Sequence, residues 1–210
     1  MKKLTVLITL SALLIFTMGA AAQDVSMEDM KMVGGVSYNT FDSTFSADSM
    51  DDDELSVDGG LGFYIGGQYW FNEDMAVEAG YDFAKSSTDQ SDVHNNLNAT
   101  DDVDNTLKGP YGKFVYNVNE MVNLNGGLAY YSNKLEDDDT ILEANGVGFL
   151  VGADVNYPIN EQISFVGSGN YRMAKLDVDE DKGILKNNTL NNPEIDMSGF
   201  RISGGISYKF

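Results

Sequence analysis

The final stretch of the chain alternates apolar and polar residues. From residue 200 to 210, the even positions are Phe, Ile, Gly, Ile, Tyr and Phe, and the odd positions are Arg, Ser, Gly, Ser and Lys. Successive side chains of a β-strand point to opposite faces, so this pattern predicts a strand with one apolar and one polar face. A water-soluble sandwich uses such strands, and so does a barrel that faces lipid outside and a wet lumen inside.

Seven further segments show the same alternation. It is clearest in residues 61–71 and 147–157 and weakest in the first segment. Each segment has about the 9–11 residues that a tilted strand needs to cross a bilayer. The predicted strands cover residues 31–41, 59–71, 75–85, 106–118, 121–132, 146–157, 163–176 and 198–210.

The connections between these segments alternate in length. The second, fourth and sixth segments are followed by short, turn-forming stretches at 72–74, 119–120 and 158–162, each containing an Asn-Glu pair. The other connections are long, and they cover residues 41–58, 85–105, 133–146 and 175–196. Short periplasmic turns and long extracellular loops are typical of outer-membrane barrels. The sequence therefore predicts an all-β fold, an eight-stranded antiparallel up-and-down transmembrane barrel with acidic extracellular loops.

The amino terminus has the features of an export signal. Lys2 and Lys3 precede an apolar stretch at 4–18, and three alanines at 20–22 offer a cleavage site before Gln23. We therefore expect a cleaved signal peptide at 1–22 and a barrel domain at 23–210. An uncleaved anchor is the alternative, but the small residues and the polar residues after them favour cleavage. The absence of cysteine excludes a lipoprotein, disulfides and thiolate metal sites.

The chain carries a formal net charge of −20, which argues against binding to nucleic acid. Most of the 33 acidic residues fall in the four predicted loops. Such loops are predicted to be solvated surface, and weak Ca²⁺ or Mg²⁺ sites are the alternative, because hard divalent cations prefer clustered carboxylates. No other cofactor is expected. The candidate metal ligands are Asp51, Asp52, Asp53, Asp177, Asp179 and Asp181.

The export signal, the alternation of turns and loops and the terminal Tyr208-Lys209-Phe210 together resemble the small eight-stranded outer-membrane barrels. This is the family of the OmpA transmembrane domain, OmpX and the porin-opacity proteins. In that family an aromatic last residue, with apolar residues at alternate positions before it, is recognised by the barrel-assembly machinery. Ile206, Tyr208 and Phe210 match that signal, and Gly204 interrupts it.

The resemblance implies a place in the outer membrane of a Gram-negative-type cell. Outer-membrane lipid and lipopolysaccharide are then the expected neighbours, the barrel-assembly machinery is a partner during biogenesis, and an extracellular ligand is a possible partner.

The alternation assigns six charged residues to the lumen. An eight-stranded barrel has an interior that side chains can just fill, and buried charges need partners. We therefore predict a structural network of ion pairs that plugs the lumen, and a gated ion path is the alternative. A similar charged interior is found in the OmpA-type barrels. The predicted network contains Glu78, Asp82, Lys113, Asp154, Arg172 and Arg201.

These features favour a structural or surface-interaction role, such as adhesion or envelope integrity, carried by the acidic loops. The alternative is a small pore or an OmpW-like carrier of small or hydrophobic solutes. Glycines in lipid-facing rows leave room for a lateral opening in such a carrier, at Gly112, Gly126, Gly167 and Gly169.

No enzymatic activity is expected. A lipid-A enzyme or a protease in such a barrel needs a histidine held near a serine or an acid. The only histidine of the chain is His94, which lies with Ser91 and Asp92 in a predicted loop. A solvated loop orients catalytic groups poorly, so His94 is predicted to be an ordinary loop residue.

Overall fold

The computed structural model describes residues 26–46, 53–88, 103–137, 140–182 and 194–210. In this part of the chain, a short 3₁₀ turn at Met27–Asp29 precedes eight strands. No helix there is both long and apolar enough to cross a membrane. The strands are β1 Met30–Ser46, β2 Asp53–Trp70, β3 Met75–Thr88, β4 Val103–Asn117, β5 Val122–Asp137, β6 Thr140–Pro158, β7 Ile163–Lys182 and β8 Glu194–Lys209.

The strands form a closed barrel in chain order. Each strand is antiparallel to the next, and β8 pairs with β1 from Lys31 opposite Lys209 to Ser46 opposite Glu194. Because the barrel is closed, no described strand is left with an edge whose backbone N–H and C=O groups lack partners. The hydrocarbon core of a membrane requires this. The predicted fold, with its order of strands and its short turns, is confirmed.

Three periplasmic turns share one geometry. The side-chain oxygen of Asn72 accepts hydrogen bonds from the backbone N–H groups two and three residues later, at 2.9 Å each. Asn119 and Asn160 make the same pair of bonds, at distances between 2.8 and 3.0 Å. Asparagine side chains favour such turns because they can imitate a backbone carbonyl. The recurring Asn-Glu pairs of the sequence are therefore three copies of one turn.

On the opposite side, the predicted strand ends were wrong. β1 continues to Ser46, β3 to Thr88 and β7 to Lys182, well into the predicted loops. The predicted loop at 133–146 is mostly a hairpin, because Asp137 of β5 pairs with Thr140 of β6. Strands of 14 to 20 residues exceed the length needed to cross a bilayer, so the barrel projects beyond it on the loop side.

The strands reverse their polarity as they leave the membrane, and β8 shows this most clearly. Residues 200–209 turn apolar side chains outward, with Phe200 60% and Ile202 66% exposed, and bury the side chain of Arg201. Residues 194–199 do the opposite, because Ile195 and Met197 are buried while Asp196 is exposed. We call the first type of wall the membrane-level section and the second the projecting section.

A glycine marks the boundary between the two sections in β8. Gly199 has a φ of +155°, which side chains rarely adopt, and a Cβ there would collide with the backbone carbonyl of Thr40 in β1. Beside it, the hydroxyl of Thr40 accepts a 2.9 Å hydrogen bond from the backbone N–H of Phe200. Glycine is therefore needed at this position of β8, beside Thr40 of β1.

Candidate functional site

Glu78 is the centre of a hydrogen-bonded cluster inside the membrane-level section. Its carboxylate accepts 2.7 Å hydrogen bonds from the amide of Gln68 and the hydroxyl of Tyr111. The ammonium of Lys113 lies 3.1 Å from the same carboxylate, and both side chains of this ion pair are buried. A buried charge costs little when it is paired and hydrogen-bonded, and Glu78 meets both conditions.

A second cluster joins two arginines to one carboxylate. Arg201 lies 2.9 Å from Asp82, whereas Arg172 lies 4.0 Å from the same oxygen. Arg172 also packs against aromatic rings, with its guanidinium carbon 5.1 Å from the ring centroid of Phe41 and 5.3 Å from that of Tyr131. Such cation–π contacts stabilise the buried guanidinium of Arg172, which shares the carboxylate of Asp82 with Arg201.

The sixth predicted member of the network is placed apart from the others. Asp154 is 3% exposed, and its Oδ1 has no hydrogen-bond partner among the described residues. No ion pair joins it to a base among the described residues. The structure thus places all six charged residues inside the barrel but brings together only five, as one pair and one triplet.

The interior of the projecting section is an apolar core. It combines side chains from β1 and from β3 to β8, and several of them are fully buried. This core was not predicted, because its residues lie in the predicted loops or next to them. The core includes Phe41, Ala84, Leu107, Tyr131, Leu135, Leu142, Ala144, Ala174, Leu176, Ile195 and Met197.

A chain of hydrogen-bonded polar side chains runs along the inner face of the wall beside this core. The amide of Asn133 donates to Asn105 at 2.6 Å, and the amide of Asn105 donates to Ser86 at 3.1 Å. This chain joins β3, β4 and β5 from the inside. Each link pairs a donor with an acceptor, so the polar side chains fit into an otherwise apolar layer.

The outer wall of the projecting section carries ion pairs. Lys85 lies 2.9 Å from Asp104, and Lys134 lies 2.8 Å from Glu136. Lys175 bonds to Glu194 at 2.6 Å, and this hydrogen bond raises the pKa of Lys175 above its ordinary value. These side chains lie beyond the bilayer and are partly or largely exposed to water, so each pair adds little to the stability of the fold.

A groove of about 290 Å³ lies on the outer wall at the boundary between the two sections. It runs across β6, β7, β8 and β1, with Val147, Phe149 and Met173 at its apolar side. Its polar side contains Asp42, Thr44, Lys175, Asp196 and Ser198. Concave sites with an apolar surface and a few polar groups are the usual form of small-molecule sites.

The structure describes the predicted metal ligands only in part. Asp51 and Asp52 lie outside the described residues, and Asp53 and Asp181 are described only as strand backbone. Asp177 and Asp179 lie in β7 and not in a loop, and Asp179 accepts a 3.0 Å hydrogen bond from Asn145. Within the described ranges, no three carboxylate, histidine or cysteine side chains are placed to hold an ion. The cation sites stay a prediction.

The carboxy-terminal residues face outward at the periplasmic end. Ile206, Tyr208 and Phe210 are 55%, 39% and 43% exposed, and the last two rings contact each other edge to face at 5.3 Å. Their role as an assembly signal stays a prediction. At the same end, Trp70 lies under the ammonium of Lys31, which is 4.5 Å from its ring centroid.

The remaining predicted positions do not form a site. The lipid-facing glycines leave open space outside the wall, and a Cβ on Gly169 would meet no atom within 4 Å. However, β7 pairs continuously with β8 past Gly167 and Gly169, so the wall is closed there. His94 lies outside the described residues, and its predicted lack of a catalytic role stays a prediction.

Residues 8–210 match the sequence model of a family described as outer membrane protein beta-barrel domain. No curated protein matches the chain significantly. Among solved structures, the outer membrane protein OprG from Pseudomonas aeruginosa is 14% identical, with a TM-score of 0.51, covering 86% of this chain and 95% of that one.

Two other structures are similar at this level. The outer membrane protein AlkL, solved in lipid bilayers, is 17% identical with a TM-score of 0.50, covering 90% of this chain and 94% of AlkL. Ail, the attachment invasion locus protein of Yersinia pestis, is 15% identical with a TM-score of 0.49, covering 86% and 99%. At these identities the likeness to OprG and AlkL shows the shared barrel fold alone.

Proposed function

We propose that this chain, which belongs to the outer membrane protein beta-barrel family, is a filled barrel that holds an interaction surface above the outer membrane. Its family and its closed barrel place it in that membrane. The proposed role is structural or adhesive: the membrane-level section anchors the protein, and the projecting section presents acidic surface to the outside.

The polarity reversal along the strands carries this proposal. A barrel that served only to cross the membrane would end near the headgroups, but these strands continue with polar residues outside and a packed apolar core inside. Apolar side chains in contact with each other exclude water from the axis. The core therefore supports a closed lumen and a rigid support for whatever the outer end binds.

The charge of the outer end indicates the class of partner. The segments 47–52, 89–102 and 183–193 connect strands at that end, and the acidic run 51–54 lies where the first of them joins β2. A surface with a net negative charge attracts cationic partners over distances of about a Debye length, roughly 8–10 Å. A basic protein or another cationic surface is the partner that this end fits.

The pore or carrier alternative has no supporting observation along the barrel axis. An ion that passed the two charged clusters would next meet Leu176, Ile195 and Met197, each at most 2% exposed. An ion in such an apolar layer would lose its hydration without compensation. We also propose that the chain has no catalytic activity, because its one histidine, His94, lies with Ser91 and Asp92 in a predicted loop that would orient catalytic groups poorly.

Two measurements test the proposed function. In planar bilayers, the refolded protein is expected to give no conductance steps above the bare membrane; regular openings would contradict a filled barrel. In the second, cells that display the protein are tested for binding to polylysine-coated and carboxylate-coated beads, with preferential binding to polylysine expected.

Neutralising Asp51, Asp52, Asp53 and Glu54 to Asn and Gln should reduce that binding. The matched control neutralises four acids of the periplasmic turns, Glu73, Asp74, Glu120 and Glu161, which face the other side of the membrane. Equal binding by cells with and without the protein would overturn the adhesive role.

A further inference from the structure

The groove on the outer wall lies where a lipid would contact both sections of the barrel. Its apolar side consists of Val147, Phe149 and Met173, which are 41%, 58% and 46% exposed and lie in the lipid-facing rows. Its polar side begins at Ser198, directly above the lipid-facing Phe200 of the same strand. An amphiphile at this height would have its acyl chain on the apolar side and its headgroup on the polar side.

The small side chain of Ser198 leaves the groove open. Ser198 pairs with Met173 of β7 on one side and with Asp42 of β1 on the other. Strand neighbours on the same face lie about 5 Å apart, so the long Met173 side chain forms a wall next to the short serine. A larger residue at 198 would fill the groove without changing its charge.

The polar side carries excess negative charge. Asp42 and Asp196 line the groove from adjacent strands, and Lys175 is the only base among the lining residues. That lysine is already bonded to Glu194 at 2.6 Å. The two aspartates therefore leave the groove with excess negative charge. Such a groove complements a cationic headgroup and repels a bare phosphate.

We propose that this groove binds a membrane lipid with an amine-bearing, cationic headgroup. The acyl chain packs on Phe149 and Met173, and the amine lies between Asp42 and Asp196. Two partly exposed ion pairs give a preference of about fivefold over a zwitterionic lipid of equal chain length.

Electron paramagnetic resonance of spin-labelled lipids tests this proposal directly. The refolded protein in phosphatidylcholine vesicles is probed with three lipids of identical labelled chains: one cationic, one zwitterionic and one anionic. We expect the cationic lipid to be enriched about fivefold in the motionally restricted fraction. The Asp42→Asn, Asp196→Asn double variant should lose most of this enrichment, and Ser198→Trp should lose it with all charges retained.

A matched control separates the groove from the general acidity of the protein. The Asp104→Asn, Glu136→Asn double variant removes two carboxylates from the β4 and β5 side of the projecting section, away from the groove. Equal loss of enrichment in both double variants would overturn the proposal in favour of bulk attraction.

Binding of the anionic lipid with Mg²⁺, abolished by a chelator, would overturn the amine assignment in favour of a phosphate bridged by a cation. Heat-modifiable mobility on gels confirms that each variant is folded. The absence of any preference in the folded wild-type protein would also overturn the proposal.

Discussion

The two sections of the barrel fill their interiors with opposite kinds of residue. In the membrane-level section, Glu78 and Arg201 are buried while Ile202 and Phe149 face outward. In the projecting section, Leu176 and Ile195 are buried and the outer wall carries ion pairs. The backbone is one continuous sheet through both, so the difference lies in the side chains and not in the fold.

The medium around each section of the barrel determines which side chains fill its lumen. Lipid surrounds the membrane-level section, so apolar side chains gain nothing by moving inward, and the lumen can hold polar groups that satisfy one another. Water surrounds the projecting section, so the lumen is the only place where its apolar side chains escape solvent. One barrel therefore combines a membrane-type interior with an interior like that of a soluble protein.

The largest expected effect comes from opening the charged triplet of the membrane-level section. Arg201→Ala removes the 2.9 Å partner of Asp82 and leaves Arg172 at 4.0 Å. Leaving a buried charge poorly paired costs about 3–5 kcal/mol of unfolding free energy. Urea titration of folding into vesicles measures this loss. The control Lys175→Ala breaks an exposed pair and should cost much less unfolding free energy.

The same variant, Arg201→Ala, tests which of the two sections closes the lumen to ions. If the apolar core closes the lumen, Arg201→Ala lowers stability but leaves planar-bilayer conductance at the bare-membrane level. New conductance steps in this variant would show that the charged triplet, and not the core above it, is the seal.

The next effect is a cavity in the projecting section. Leu176 is 0% exposed, and Leu176→Ala in a packed core costs about 2–5 kcal/mol, part of it for the cavity. Leu128→Ala is the matched change on the lipid face, where the side chain is 52% exposed. Acyl chains can refill that space, so the urea-measured loss should be smaller. An equal or greater loss at 128 would contradict the soluble-type core.

A third variant pair locates the boundary between lipid and water on the outer wall of β8. Ile202→Arg places a charge in the lipid-facing row and should cost about 2 kcal/mol, because such substitutions cost about 2–4 kcal/mol at the bilayer midplane and less toward its edges. Asp196→Arg, six residues away on the same face, should change stability by no more than about 0.5 kcal/mol. Similar costs at both positions would place both residues in one environment.

A smaller effect is expected at the periplasmic turns, which fix the lower end of the membrane-level section. Asn119→Ala removes the acceptor of two backbone hydrogen bonds of 3.0 Å and should cost about 1 kcal/mol. Asn119→Asp keeps an acceptor oxygen at the same place and should retain most of the stability. Equal losses in the two variants, measured by the same urea titration, would argue against the shared turn geometry.

The smallest expected effect concerns divalent ions at the outer end. If the acidic run 51–54 binds Ca²⁺ weakly, with a dissociation constant of about 0.1–1 mM, then about 10 mM Ca²⁺ should slow proteolysis there. Changing Asp51, Asp52 and Asp53 together to Asn should remove part of this protection. NaCl of equal ionic strength is the control, and equal protection by NaCl would reduce the effect to charge screening.

Much of this architecture was predictable from local pattern. The alternation of the eight segments and the three Asn-Glu turns were sufficient to predict the barrel, its strand order and the inward face of six charged residues. The projecting section was visible in the sequence too, because apolar residues alternate with polar ones at Leu176 and Val178 and at Ile195 and Met197. The many acids beside them led to a loop prediction, although alternation, not acidity, is the mark of a strand.

The sequence by itself determined which side of the wall each side chain occupies, because that depends only on position along one extended strand. It did not determine which side chains meet across the lumen. Asp82 serves two arginines from β7 and β8, and Asp154 serves neither. Those contacts depend on the register between neighbouring strands and on the closure of β8 against β1. Both are properties of the assembled barrel, because no short segment of the chain contains them.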